Sequence, residues 1–145
     1  MNAVPAAQVF EDFARTSGGT FARNEPLPFF LHHVIGIQTE DGYKLRVPLG
    51  IGDRDSVDCA AEIPANTTVC IMSTSDRQTA DAAAGAVRSA VQQLDGEEPG
   101  VALFFDCAAT RLRMGASFKI ELDSVSRSIL RSGCTGREKY CQYQH

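Results

Sequence analysis

No stretch of this sequence reaches the ~18 consecutive apolar residues that a membrane-spanning helix requires. The N-terminus also lacks the basic patch, apolar core and small-residue cleavage site of a secretory leader. A membrane partner is therefore not expected, and the cytoplasm is the expected location. Positive charge is in short supply as well. Fourteen Lys and Arg stand against 18 Asp and Glu, a net charge of −4, so the chain offers no basic footprint for a phosphate backbone, and no nucleic-acid partner is expected. The five cysteines, Cys59, Cys70, Cys107, Cys134 and Cys141, are odd in number and contain no C-x-x-C pair. That argues against a disulfide framework and against a tetrahedral metal site, and leaves reduced thiols, with Cys59, Cys70 and Cys107 in apolar runs where free cysteine is usually a small buried hydrophobe. Without C-x-x-C-H, covalent haem attachment is excluded too. No internal repeat or low-complexity block interrupts the chain.

What remains is the composition of an ordinary globule. Of 145 residues, 43% are hydrophobic and 22% charged, and a chain of this length buries roughly 70% of its unfolded surface as a single core. Pro5 followed by Val9, Phe10 and Phe13 predicts a helix over about residues 5–16. Pro26 and Pro28 predict an extended passage into Phe29, Phe30 and Leu31. Residues 33–38 and 43–47 flank Asp41-Gly42, a hairpin signal, and 57–63 and 67–73 flank Pro64, Ala65 and Asn66, which predicts a second hairpin. Ser75 with Gln78 has the form of a capping box. Ala80, Ala83, Ala84, Val87, Val91 and Leu94 then recur at helical spacing over residues 76–94. Val101–Phe105 reads as a central strand buried on both faces, and Met114 to Leu130 as a further amphipathic helix. The expected fold class is α+β, an approximately five-stranded mixed and largely antiparallel sheet packed with two to three helices.

The chemistry is concentrated in Pro99–Gly115, PGVALFFDCAATRLRMG, where the apolar run ends in an acid, a thiol and small residues before a basic helix start. Strand ends of this kind open into crevices that take small ligands. Asp106 and Arg111 have the charges to hold the two ends of a zwitterion, and form a plain surface ion pair equally well. A nucleophilic role for Cys107 needs a lowered thiol pKa. With no local Cys-His or Ser-His signature, the reading is an inert thiol and no catalysis. His32 and His33 are adjacent, so in an extended segment only one of them reaches a given haem iron. Gly50 and Gly52 in PLGIGD lack the third glycine, the Lys-Ser/Thr pair and the helix of a phosphate loop.

Taken in order, PAAQVFEDF, PLPFFLHHVIGI, LRVPLGI, SVDCAAEIPANTTVCIM, a helix of small residues, VALFFDC, RLRMG and KIEL resemble the C-terminal (FIST C) domain of FIST sensory proteins. The resemblance implies a non-catalytic sensory domain of a signal-transduction system over residues 1–130. Its ligand would be a small molecule such as an amino acid, and its partner a FIST N-type domain or a signalling protein. Transferred onto this chain, the ligand-binding residues are Asp106, Cys107, Arg111 and Gly115, with no metal and no cofactor. A haem-binding nitric oxide sensor using His32 or His33 is the alternative that the wider group implies, and a truncated, non-catalytic interaction module is another. Two departures stand out. The arginine that follows the cysteine in the family falls one place later here, at Arg111 instead of Thr110, a shift of about 100° on a helix. The Gly-rich closing strand has no counterpart in residues 131–145, which leads to the expectation of a divergent, disordered tail on a truncated product.

Overall fold

Pro5, with φ −56° and ψ 145°, stands at the N-terminal boundary of the helix Ala6–Ser17 (α1), which buries Ala7, Phe10 and Ala14 along one stripe. Gly18 ends it at φ +74°, a left-handed conformation that glycine adopts without steric cost, and Gly19 N–H closes the turn on Ala14 O at 2.9 Å. The computed structural model describes residues 4–132. They divide into two units, residues 4–74 with 108–113, and residues 75–107 with 114–132. The expected tail lies outside the described residues from Gly133 onward.

In the first unit the chain continues into the short helix Leu27–His32 (α2), where the sequence led to an extended expectation. Pro26 takes the capping position and Pro28 sits in the first turn, and a proline there forfeits no helical hydrogen bond because those N–H groups are unpaired in any case. The prolines therefore start a helix, which buries Phe29 and Phe30. Five strands follow: Val34–Thr39 (β1), Gly42–Arg46 (β2), Pro48–Ile51 (β3), Val57–Cys59 (β4) and Val69–Met72 (β5). The predicted first hairpin forms, with Thr39 opposite Gly42 and Ile35 opposite Arg46. The second does not. β4 pairs antiparallel with β3, Ile51 opposite Val57, across the short turn at Asp53–Asp55, while β5 returns to β1 with Ile35 opposite Ile71. Closing the nearer loop costs less chain entropy, and β5 is then free to place Val69 and Ile71 on the core face. The strands thus lie in a three-stranded sheet of order β2-β1-β5 and a two-stranded ribbon, all antiparallel.

The core of this unit is aromatic. Phe10 and Phe30 are fully buried and meet edge to face with ring centroids 4.9 Å apart, and Phe21 lies against Phe29 at 5.3 Å. Ala14, Phe29 and Ile35 complete the buried cluster, with Phe13, Val69 and Ile71 packed around it. Each buried phenylalanine contributes ~1.5–3 kcal/mol relative to exposure.

The second unit contains Asp76–Gln92 (α3) and Phe118–Arg131 (α5). The capping box forms as expected: Ser75 Oγ accepts from Gln78 N–H at 3.3 Å, and Gln78 Oε1 accepts from Ser75 N–H at 2.9 Å. The alanine stripe Ala80, Ala83 and Ala84 is buried, and α3 packs against α5, which buries Val125 and Glu121. Ala108–Met114 (α4) and a single 3-10 turn at Gly115–Ser117 precede α5. One expected element is absent. Val101–Phe105 joins no ladder among the described residues, and Val101, Leu103 and Phe105 are 77%, 77% and 88% exposed. An apolar run becomes a strand only where a neighbouring strand supplies its hydrogen bonds, and none does so here. The α+β class with five largely antiparallel strands and several helices holds, with β3 and not Val101–Phe105 completing the five.

Candidate functional site

The four residues singled out in the sequence are not among the linings of the two cavities described below. Asp106 and Cys107 are exposed at the end of the non-regular segment before α4, Arg111 is exposed within α4, and Gly115 opens the 3-10 turn at φ +51°. Asp106, Cys107 and Gly115 belong to the second unit and Arg111 to the first. The cysteine expectation is corrected in part. Cys70 and Cys107 are exposed and Cys59 is half-buried, its thiol pushed up by burial and by the neighbouring Asp58 carboxylate. Cys134 and Cys141 lie outside the described residues.

A cavity of about 770 Å³ lies within the first unit, between α1 and β5. That is within the ~300–1,000 Å³ typical of small-molecule sites. One wall is the α1 face carrying Val9, Asp12, Phe13 and Thr16, residues spaced i, i+3, i+4 and i+7. The other wall is Thr67–Ile71, five consecutive residues, with Ile35 of β1 behind them. Five in a row can line one cavity because β5 is an edge strand. Gln38 N–H donates to Thr68 O at 3.2 Å, and the register alternates from there, so the N–H and C=O of Val69 and Ile71 face away from β1.

The polar groups at this cavity are few and distinct. Asp12 Oδ1 accepts from Gln8 Nε2 at 3.2 Å and pairs with Arg15, whose side chain is 75% exposed. An exposed pair of this kind holds its carboxylate weakly. Thr16 Oγ1 donates back to Asp12 O or Phe13 O at 3.0 Å, so its lone pairs face outward as acceptors. Thr67 and Thr68 hydroxyls make no hydrogen bond among the described residues. The remaining lining is apolar. Sequence reasoning missed this site. Its only local trace is a carboxylate and a hydroxyl on the helix face that also carries Val9 and Phe13, together with a Thr-Thr pair immediately before a strand.

A second cavity, of about 470 Å³ and almost wholly apolar, lies in the second unit between α3, α5 and the 101–105 segment, with Phe104 and Phe105 in its lining. Neither cavity is lined by a histidine. His32 is exposed, and the His33 ring stacks on Phe29 at 4.0 Å and meets Phe13 edge-on at 5.3 Å, its Nδ1 3.0 Å from Phe29 O. No group of three or more His, Cys, Asp or Glu among the described residues is placed to hold a metal ion.

The sequence matches the FIST C domain over residues 6–137, most of the chain. The chain belongs to the FIST C domain family. FIST C domains are non-catalytic sensory modules of signal transduction, and the match extends past the expected boundary at residue 130. No curated protein and no solved structure matches the chain. Among the described residues, no helix of this FIST C domain is long and apolar enough to cross a membrane.

Proposed function

We propose that this FIST C domain senses a small zwitterionic metabolite, an amino acid, in the cytoplasm and reports it to a FIST N-type domain or to a signalling protein. The observation that carries this reading is the cavity between α1 and β5, whose size suits a metabolite and whose walls combine one carboxylate, several hydroxyls and an apolar floor. A ligand that touches both walls couples α1 to the sheet edge, and it shifts the population of any second arrangement in which those walls stand differently. Only a difference in affinity between two such arrangements transmits a signal.

Thermal melts of the purified chain with the twenty amino acids test the reading. A ligand at one hundred times its Kd stabilises by about 2.7 kcal/mol, which raises Tm by several degrees. At least one amino acid giving that rise supports the reading, and a flat panel at millimolar concentration overturns it.

A further inference from the structure

Among the described residues, both halves of a strand pairing are present and unpaired. The first half is the outer edge of β5. A sheet edge offers its N–H and C=O groups to any strand that reaches it, and proteins blunt such edges with lysines, prolines or bulges. β2, at the other edge of the same sheet, carries Lys44 and Arg46. β5 carries no charge and no proline, and its pairing with β1 runs without a register shift. The N–H and C=O of Val69 and Ile71 point outward together, the alternation that a further strand requires. The second half is Val101–Phe105, VALFF, which has the composition of a strand and joins no ladder among the described residues. In an extended chain Val101, Leu103 and Phe105 share one face. These three are far more exposed than Phe104 between them, and the segment lies along α3 and α5.

The cavity between α1 and β5 has room for those side chains. Residues set opposite Val69 and Ile71 share the face on which Val69, Ile71 and Ile35 line the cavity, so their side chains enter it against Val9 and Phe13. Phe104 then falls on the other face of the sheet, where Cys70 and Leu45 flank Gly36 and are exposed. We infer that a second copy of this chain docks on β5, Val101–Phe105 of one copy adding as a fourth strand to the sheet of the other, with Val101, Leu103 and Phe105 in the cavity. The exchange is reciprocal, each copy giving one segment and receiving one, so it closes as a two-fold dimer. The occupant is this chain itself because one sequence supplies both parts: an uncharged open edge, and an uncharged run of five residues with apolar side chains at the spacing the edge accepts. The inference goes beyond the sensory reading and shares only its cavity. A metabolite and a partner strand exclude one another there, so a bound metabolite favours the monomer.

Sedimentation velocity of the full chain without ligand, over a wide concentration range, tests this together with amide hydrogen exchange. A monomer–dimer equilibrium is expected, with the Val69 and Ile71 amides exchanging more slowly as the dimer fraction rises. Leu103→Lys places a charge on the pairing face and is expected to weaken the dimer by about ten-fold or more, and to return those two amides to fast exchange. Leu49→Lys, at an exposed position on the β3–β4 ribbon, is the control and is expected to change neither. Circular dichroism melts of both variants separate lost pairing from lost folding. A monomer at every concentration overturns the inference, as does a dimer that survives Leu103→Lys or dissociates with Leu49→Lys. Slow exchange of Val69 and Ile71 in a monomer overturns it too, since the edge is then covered without a second copy. An amino acid that raises Tm and leaves the dimer fraction unchanged contradicts the shared cavity and overturns the pairing while the sensory reading stands. A dimer that behaves as expected, with a flat amino-acid panel, keeps the pairing and removes the sensory reading.

Discussion

Arg23 donates to both carboxylate oxygens of Glu11 on α1, from Nε to Oε1 and from Nη2 to Oε2 at 3.0 Å, and its Nη1 reaches Asp55 at 2.7 Å in the turn between β3 and β4. The guanidinium thus ties the helix that walls the cavity to the ribbon. Bidentate geometry distinguishes this contact from the single exposed pairs Arg77–Asp81 and Lys119–Asp123.

That tie gives stability an acid limb. The Arg23 hydrogen bond holds the Glu11 carboxyl below its ordinary value of 4.5. A lowered folded-state pKa contributes stability that is fully present above the unfolded value and is lost as pH falls through the folded one. The Tm difference between the native chain and Arg23→Gln is therefore expected to be constant from neutral pH down to the ordinary carboxylate range, and to shrink below it. A difference that does not change with pH contradicts the pairing.

Phe30 is fully buried against Phe10 and Phe21. Phe30→Ala is expected to cost about 3–5 kcal/mol, transfer and cavity terms together, in urea melts of the chain. Leu27→Ala, on the exposed side of the same short helix at 40% exposure, is expected to cost about 0.5 kcal/mol or less.

Gly36 stands at a close approach within the three-stranded sheet. A Cβ built there collides with Met72 Sδ and meets Met72 Cγ at 3.0 Å and Tyr43 Cδ1 at 3.2 Å. Gly36→Ala is expected to destabilise by about 1–3 kcal/mol as an overpacked contact. Because the obstacle is the end of a flexible side chain, Met72→Ala is expected to restore part of that loss. A double variant no more stable than the single one contradicts this account of the clash.

Thiol accessibility gives another check on the fold. Cys70 and Cys107 are exposed, while Cys59 is half-buried with its pKa raised by burial. Iodoacetamide labelling read by peptide mass spectrometry is expected to modify Cys70 and Cys107 well before Cys59, since alkylation proceeds through the exposed thiolate. Equal rates at Cys59 and Cys107 contradict the half-buried placement of Cys59.

How far the fold was legible from sequence depends on whether each element is decided locally. The α3 capping box is set within four residues, and the Asp41-Gly42 turn within two, so both were readable. α1 followed from Pro5 and the stripe after it, although Ala7 and Ala14, and not Val9, proved to be the buried partners of Phe10. The α2 prolines are compatible with an extended chain or with a first helical turn. The burial of Phe29 and Phe30 decided between them, and burial is a property of the whole unit. The pairing of β4 with β3 and of β5 with β1 likewise depends on competing partners. Val101–Phe105 shows the same limit from the other side: its composition suits a buried strand, but a strand exists only with a neighbour. The cavity was hidden for this reason too. Asp12 and Thr67 are far apart along the chain, and only the seating of α1 over the β5 edge brings them to one cavity.

Backbone amide chemical shifts on titration with an amino acid that raises the Tm of the chain test the central claim most directly. The account predicts that perturbations concentrate at Val9, Asp12, Phe13 and Thr16 and along Thr67–Ile71, the residues that line the cavity. Perturbations centred on Asp106, Cys107 and Arg111, with the α1 and β5 resonances unmoved, would contradict it.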